Sequence, residues 1–208
     1  MPEKSRVLLV EGRDDREVIY QFCNYHQIDN KRLFCVIAVG SVEELIQGLS
    51  ARIKSSRRPQ VLGILVDADT NLENRWAQIC SALSDDYHLP EVPSRVGTIL
   101  EAPSASRPKI GIWVMPDNQA PGILEDFLLH LTNENDSLAR RAKSAVQDIP
   151  DRERLFGETK FSKAVIHTWL AWQKEPGTAL GQAFTRRYLD PDRNSALEFK
   201  AWLETLFA

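Results

Sequence analysis

Short, fully apolar runs alternate with amphipathic stretches along the first two-thirds of this 208-residue chain. The apolar runs lie at residues 7–10, 33–39, 61–66 and 110–115. Runs of this kind are typical of strands that are buried on both faces of a sheet. The stretches between them with apolar residues at helical spacing are 14–26, 41–49 and 74–83. This order predicts an α/β fold, with a mostly parallel sheet flanked by helices.

The pattern changes in the later part of the chain. Residues 95–101 alternate apolar and polar side chains, which predicts an additional strand. Pro121 stands where the first position of a further helix is expected. From residue 136 onward the patterns are helical, the clearest being residues 160–173 and 194–207. We therefore expect an α/β domain over residues 1–135, with a helical C-terminal extension, residues 136–208, packed on it.

The overall composition is that of a soluble globular protein. Apolar residues make up 43% of the chain and charged residues 26%, which excludes wholesale disorder. The formal net charge is −3, so the overall charge gives no reason to expect binding to a polyanion. Such binding would need a local basic patch.

Cysteine placement and hydropathy restrict the cellular setting. Cys23, Cys35 and Cys80 stand far apart without a C-x-x-C pair, which argues against a disulfide framework and a cysteine-rich zinc site. The first apolar run is too short for a secretion signal, and no stretch approaches the roughly 18 apolar residues of a membrane span. We therefore expect a cytoplasmic protein with no membrane partner.

Acidic residues directly follow three of the predicted strands. Glu11 ends the first, Asp67 and Asp69 end the third, and Asp117 follows the run at 110–115. The carboxyl ends of parallel strands line one crevice, so these carboxylates are expected to lie close together. Gathered carboxylates repel one another unless protons or a cation neutralise them. Because all the donors are oxygens, Mg²⁺ or Mn²⁺ is favoured over zinc.

A purely structural interpretation of these acids is also open. An acid after a strand often caps the next helix or lies in a solvated turn. Asp14 and Asp15 are expected to cap the helix that follows them, and Asn118 to cap the helix after Pro121. The functional hypothesis therefore depends on acids at two different strand ends, not on any single acid.

The pairing of Val-Glu-Gly after the first strand with Val-Asp-Ala-Asp after the third resembles the Toprim domain. Toprim is the metal-binding module of topoisomerases, bacterial primases, small RNA-maturing nucleases and the overcoming-lysogenization-defect nucleases. Over residues 5–118, Glu11 matches the glutamate of the family, and Asp67 with Asp69 matches its D-x-D. The segments WVMPDN, GILEDFLL and HTWLAWQKEPG are also similar to a group of small bacterial Toprim-related proteins without an assigned substrate. The resemblance implies a Rossmann-like Toprim fold.

The resemblance also implies roles for individual residues. Asp67 and Asp69 would hold Mg²⁺ (or Mn²⁺), and Glu11 would be a further ligand or the general acid/base at the scissile phosphate. Gly12 follows the glutamate, as in many members of the family, and Asp15 falls where many members carry a further acid.

Some candidates are added from their position alone. Asp117 ends a strand and is expected as an additional metal ligand, whereas Glu125 faces the crevice only if the helix after Pro121 starts there. Lys160 and Lys163 lie on a later predicted helix and are candidates to neutralise a phosphate. As lysines on a solvated helix face they also fit a plain surface role.

The motifs that the chain lacks narrow the activity. No tyrosine has the context that a topoisomerase needs, no cysteine spacing allows a primase zinc module, and no G-x-x-x-x-G-K-[ST] motif supports an ATPase half. A minimal Toprim protein remains. We expect it to be a nuclease that hydrolyses RNA or DNA, so nucleic acid is its expected partner. A partner protein subunit is a further option.

Two other functions stay open. A degenerate Toprim scaffold would bind a nucleotide or a partner protein without catalysis, which the acidic net charge favours. A phosphatase of the haloacid-dehalogenase class also places D-x-D after a strand. That class has Thr or Val two residues after the second aspartate. Here Asp69 is followed by Thr70 and Asn71, so the threonine stands one position too early.

Overall fold

A computed structural model describes residues 5–208, and its centre is a five-stranded sheet. The strands are β1 (Arg6–Val10), β2 (Cys35–Ala38), β3 (Val61–Asp67), β4 (Thr98–Leu100) and β5 (Lys109–Met115). Their order is β2-β1-β3-β5-β4, in which β4 runs antiparallel to β5 and all other neighbours are parallel. The predicted sheet is confirmed, and the extra strand predicted within residues 95–101 is β4.

Helices flank this sheet on both faces. The earlier ones are α1 (Arg13–Tyr25), α2 (Asn30–Leu33), α3 (Val42–Gln47), α4 (Leu49–Lys54), α5 (Leu72–Leu83) and α6 (Leu124–His130). The later ones are α7 (Ser137–Gln147), the 3-10 helix Glu158–Lys160, α8 (Phe161–Ala171), α9 (Gln182–Thr185) and α10 (Asn194–Phe207). The fold is therefore a Rossmann-like α/β architecture with a helical C-terminal part, as the sequence predicts.

Alternate side chains of β1 enter two separate apolar cores. Leu8 and Val10 lie in the larger core, to which α1, α6, α8 and α10 contribute. Val7 and Leu9 lie in the other core, to which α3, α4 and α5 contribute. Because successive strand side chains point to opposite faces, a run without polar residues is the pattern that fills both cores.

Two glycines in the middle of the sheet let α10 pack closely on it. Gly63 of β3 and Gly111 of β5 are register partners, and we call this pair the glycine notch. A Cβ on Gly63 would lie 2.7 Å from Cδ1 of Leu8 and 3.0 Å from Cζ of Phe207, and one on Gly111 would collide with Leu206. The absence of side chains at the notch therefore lets α10 pack directly on the backbone of β3 and β5.

The prediction that Pro121 is a first helical position is wrong. Gly122 has a φ of +146°, and Ile123 is extended, so α6 begins at Leu124. The carboxylate of Asp126 accepts a hydrogen bond from the Ile123 amide at 2.8 Å. This contact fixes the start of the helix three residues beyond the proline.

Ser41 and Asn118 both precede helices, but only Ser41 acts as a cap. Ser41 caps α3, because its Oγ accepts a hydrogen bond from the Glu44 amide at 3.2 Å. Asn118 does not cap α6. Its Oδ1 accepts a hydrogen bond from the Val114 amide at 2.8 Å, and its Nδ2 donates to the Arg95 carbonyl at 3.2 Å. Asn118 therefore ties the end of β5 to the loop before β4.

The stretch 41–49 differs from the single helix that its apolar spacing suggests. The chain forms α3 and α4 instead. Gly48 is the C-cap residue of α3 and the N-cap residue of α4. The backbone N–H of Gly48 donates a hydrogen bond to the Glu44 carbonyl, and this bond closes the last turn of α3.

The proposed division at residue 135 falls in the loop before α7. Asp136 caps that helix through the amides of Leu138 and Ala139. The later helices α8 and α10 share the larger core with the sheet, so the helical part packs on the α/β part. A separate domain over residues 1–135 stays a prediction.

Among residues 5–208, no helix is both long enough and apolar enough to cross a lipid bilayer. The cytoplasmic location stays a prediction. Within residues 5–208, Cys23 and Cys80 form no disulfide bond.

Candidate functional site

The carboxyl ends of β1 and β3 lie side by side and bring Glu11 to Asp67. The two strands pair in parallel register over residues 6–9 and 61–64. Beyond this pairing, Oε1 of Glu11 accepts a hydrogen bond from the backbone N–H of Asp67 at 2.8 Å. Two acids that are 56 positions apart in the sequence thus share one site at the strand ends.

Burial makes Glu11 a weaker acid than an ordinary glutamate. Removal from water raises its pKa from 4.5 to about 7, although the hydrogen bond from the Asp67 amide acts in the opposite direction. The negative charges of Asp15 and Asp69 also raise the pKa. A glutamate with a pKa near 7 exchanges its proton at neutral pH, which is the property required of a general acid or base.

Asp67 lies between Glu11 and the first turn of α6. Its Oδ1 accepts a hydrogen bond from the Leu124 amide at 2.9 Å. Burial raises the pKa of Asp67 well above its ordinary value, and the charges of four neighbouring acids raise it further. These four are Glu11, Asp15, Glu125 and Asp69. We call Asp67 and these four residues the acid cluster.

Asp15 joins the acid cluster from the first turn of α1. Its Oδ2 accepts a hydrogen bond from the Gly12 amide at 3.0 Å, so it helps to cap the helix, as its position suggests. Burial raises the pKa of Asp15, and the charges of Glu125 and Asp14 act in the same direction. Asp15 is therefore a capping residue and a member of the cluster at once.

Arg75 of α5 supplies positive charge at one side of the acid cluster. Its Nε donates to the backbone carbonyl of Asp67 at 2.8 Å, and its Nη2 lies 2.5 Å from Oδ2 of Asp69. The Arg75 side chain is 10% exposed, whereas that of Asp69 is 43% exposed. Arg75 is not among the residues predicted from the sequence, although it is a cation one helical turn into the helix that follows the D-x-D.

Glu125 faces the acid cluster because α6 begins at the crevice. The residue is 4% exposed, and its Oε1 lies 3.0 Å from Nζ of Lys163 on α8. The same ammonium is 4.0 Å from Oδ2 of Asp14. Burial lowers the pKa of Lys163, but the hydrogen bond and charge of Glu125, with the charge of Asp14, raise it overall.

Lys160 and Asp117 lie apart from these contacts. Lys160 is exposed in the 3-10 helix before α8, and it forms no ion pair with any acid of the described chain. Asp117 holds its own loop, because its Oδ1 accepts hydrogen bonds from the amides of Gln119 at 3.0 Å and Ala120 at 2.9 Å. The structure therefore brings Lys163, not Lys160, to the acid cluster.

The donors of the acid cluster are all oxygens, which is the set that Mg²⁺ and Mn²⁺ prefer. Across residues 5–208, no three His, Cys, Asp or Glu side chains are grouped as a metal site. The carboxylates of Glu11, Asp15 and Asp67 each accept a hydrogen bond from a backbone amide. Burial first, and then neighbouring negative charges, raise the pKa values of these three carboxyls, so the donor chemistry fits a divalent cation.

Comparison with protein families matches residues 5–208 to the family described as "Protein of unknown function (DUF3226)". No curated protein is similar enough to this chain to count as a match.

Three solved structures of the C-terminal region of the OLD protein of Xanthomonas campestris pv. campestris are similar to this chain. Their sequence identities are 14%, 13% and 14%, and their TM-scores are 0.39, 0.38 and 0.42. The alignments cover 97%, 97% and 98% of this chain, and 86%, 85% and 92% of those chains. The likeness to these structures is therefore distant.

Proposed function

Because the chain belongs to the DUF3226 family, whose function is unknown, we propose its activity from its own residues. The proposed activity is metal-dependent hydrolysis of phosphodiester bonds in nucleic acid, with Mg²⁺ or Mn²⁺ held by Glu11, Asp67 and Asp69. The observation that carries the proposal is the hydrogen bond from the Asp67 backbone N–H to the Glu11 carboxylate at adjacent strand ends. The pKa of each of these two acids is raised. A divalent cation is the counterion that allows both to ionise at neutral pH.

The residues around this pair have distinct tasks in the proposed reaction. A bound cation would polarise the phosphoryl oxygen and lower the pKa of an attacking water. Glu11 is suited either to hold the cation or to accept the proton of that water, because its pKa lies near neutrality. Asp117 remains a proposed additional ligand.

Lys163 is the cation that suits an incoming phosphate. Its side chain is 44% exposed while its ammonium touches the buried Glu125, so it reaches both the acid cluster and the solvent. A flexible ammonium with three donors neutralises phosphate oxygens without requiring a fixed geometry. This position supports a phosphate substrate better than a purely acidic site would.

The experiment measures cleavage of labelled single- and double-stranded RNA and DNA by the full chain, with Mg²⁺, Mn²⁺ or a chelator. We expect cleavage that needs the cation and falls at least about 100-fold in Glu11→Gln and in Asp67→Asn. The matched controls are Glu101→Gln and Asp85→Asn, which change side chains that are 81% and 82% exposed. The controls should cleave like the unmodified protein.

A non-catalytic scaffold is the alternative, and one observation favours it. The carboxylates of the acid cluster are already engaged by backbone amides, Arg75 and Lys163, without a three-residue metal site in the described chain. Binding of Mn²⁺ that Asp67→Asn abolishes, without cleavage of any nucleic acid, would support the scaffold. Activity on a small phosphate ester, lost in Asp67→Asn but kept in Glu11→Gln, would point to a phosphatase.

A further inference from the structure

A pocket of about 390 Å³ lies on the sheet face that α3, α4 and α5 cover, and it shares no lining residue with the acid cluster. Its floor is apolar and consists of side chains from the three neighbouring strands β2, β1 and β3. These floor residues include Val7, Leu9, Ile37 and Leu62. Because β2 is an outer strand, the floor is open at its edge, where Ile37 is 39% exposed.

Three arginines, Arg52 at the end of α4 and Arg57 and Arg58 in the following loop, surround this apolar floor. We call the whole feature the arginine pocket. No acidic residue lines it, and none of the three arginines pairs with an acid from the described residues. Arg58 is held at the rim, because its Nη2 donates to the backbone carbonyl of Ala105 at 2.8 Å. In a chain of net charge −3, this is a local concentration of uncompensated positive charge.

The chemistry of the arginine pocket specifies its ligand. Guanidinium groups bind phosphate through two parallel hydrogen bonds, and they keep their charge at every relevant pH. The apolar floor suits a flat ring, which would also shield the ion pairs from water. The volume is within the range of pockets that bind small molecules. A ligand with both properties is an organic phosphate that carries a ring.

We propose that the arginine pocket binds a nucleoside phosphate, with the base on the strand floor and the phosphate between Arg52, Arg57 and Arg58. The proposal is independent of the metal-dependent activity. It predicts that changes at Glu11 leave the binding unchanged.

The test is calorimetric titration of the full chain with adenosine monophosphate, uridine monophosphate, adenosine and inorganic phosphate. We expect at least one monophosphate to bind at least about tenfold more tightly than either adenosine or phosphate alone. The double variant Arg52→Gln, Arg57→Gln should weaken this binding at least tenfold. The matched control, Arg141→Gln with Arg152→Gln, removes two positive charges elsewhere on the surface and should bind normally.

A second variant separates the floor from the rim. Ile37→Thr should weaken the binding of the monophosphate and leave that of inorganic phosphate unchanged. The proposal is overturned if neither monophosphate binds at millimolar concentration, or if the double arginine variant binds as well as the control. It is also overturned if Glu11→Gln abolishes binding, or if an oligonucleotide without a terminal phosphate binds more tightly with the same dependence on arginine.

Discussion

The ammonium of Lys163 lies 3.0 Å from the buried carboxylate of Glu125, and this contact joins α8 to α6 at the acid cluster. We expect Lys163→Met to lower the free energy of unfolding by about 1–2 kcal/mol, because it leaves the buried carboxylate without its partner. The lysine is 44% exposed, which keeps the loss below that of a fully buried pair.

Urea denaturation measures this loss. Lys160→Met is the control, because Lys160 is exposed and should change the stability by less than about 0.5 kcal/mol. The double variant Lys163→Met, Glu125→Gln should recover part of the loss, since the unpaired charge is then gone. Equal destabilisation by the two lysine variants would contradict the role of the contact.

The contribution of Glu11 to the stability of the metal-free protein should fall as the pH rises. Glu11 has a pKa of about 7 in the folded protein against 4.5 as its ordinary value, so between these values the folded state holds a proton that the unfolded state has lost. The free energy of unfolding should therefore decrease across this window, by roughly 3 kcal/mol for Glu11, and then level off. Asp67, whose pKa is also raised, acts in the same direction.

Urea denaturation between pH 4.5 and 8 in the presence of a chelator measures this dependence. Glu11→Gln should flatten the slope and be more stable than the unmodified protein at pH 8. The exposed control Glu101→Gln should retain the slope. A pH dependence that is the same with and without the Glu11 side chain would show that this carboxyl does not titrate as its burial suggests.

When no cation is bound, the positive charge of Arg75 should partly neutralise the negative charge of the acid cluster. Arg75→Gln removes the ion pair with Asp69 and a hydrogen bond to the Asp67 carbonyl, so we expect a loss of about 2–3 kcal/mol without metal. Mg²⁺ should then raise the melting temperature more in this variant than in the unmodified protein, because the cation replaces missing positive charge.

Thermal melts with and without 10 mM Mg²⁺ (roughly a saturating amount for a site of millimolar affinity) test this compensation. Arg95→Gln serves as the control, because it breaks the exposed ion pair with Glu198. If Mg²⁺ shifts all three proteins equally, Arg75 and the cation do not share a role.

The glycine notch should tolerate no side chain. Gly111→Ala would place a Cβ against Leu206, and we expect a loss of about 1–3 kcal/mol from overpacking. Gly157→Ala is the control, because a Cβ there would have no atom within 4 Å. Adding Leu206→Ala to Gly111→Ala should cost less than the sum of the two single changes. Strict additivity would show that α10 is not pressed against this glycine.

The contact between Glu11 and Asp67 was accessible from the sequence because it depends on strand order. Parallel strands have their carboxyl ends at one edge of the sheet, and β1 and β3 are neighbours there because β2 lies on the other side of β1. The start of α6 was not accessible in the same way. Its position depends on Gly122, with its φ of +146°, and on the bond from the Ile123 amide to Asp126, both of which follow from the folded loop.

Side-chain partners across different helices were also beyond the sequence pattern. Lys160 and Lys163 are both lysines of one segment, and the rotation of α8 against α6 decides which of them meets Glu125. Arg75 meets Asp69, which adopts a left-handed conformation, with a φ of +54°, shortly before α5. Neither feature leaves a periodic trace along the chain.

The seating of α10 in the glycine notch has a consequence for cooperativity. Leu206 and Phe207 pack on β3 and β5, so removing the helix would open the middle of the sheet to water. Melting of the C-terminal segment and melting of the sheet should therefore coincide in a single transition. A protease cut in the loop before α7 should leave two fragments that remain associated under native conditions.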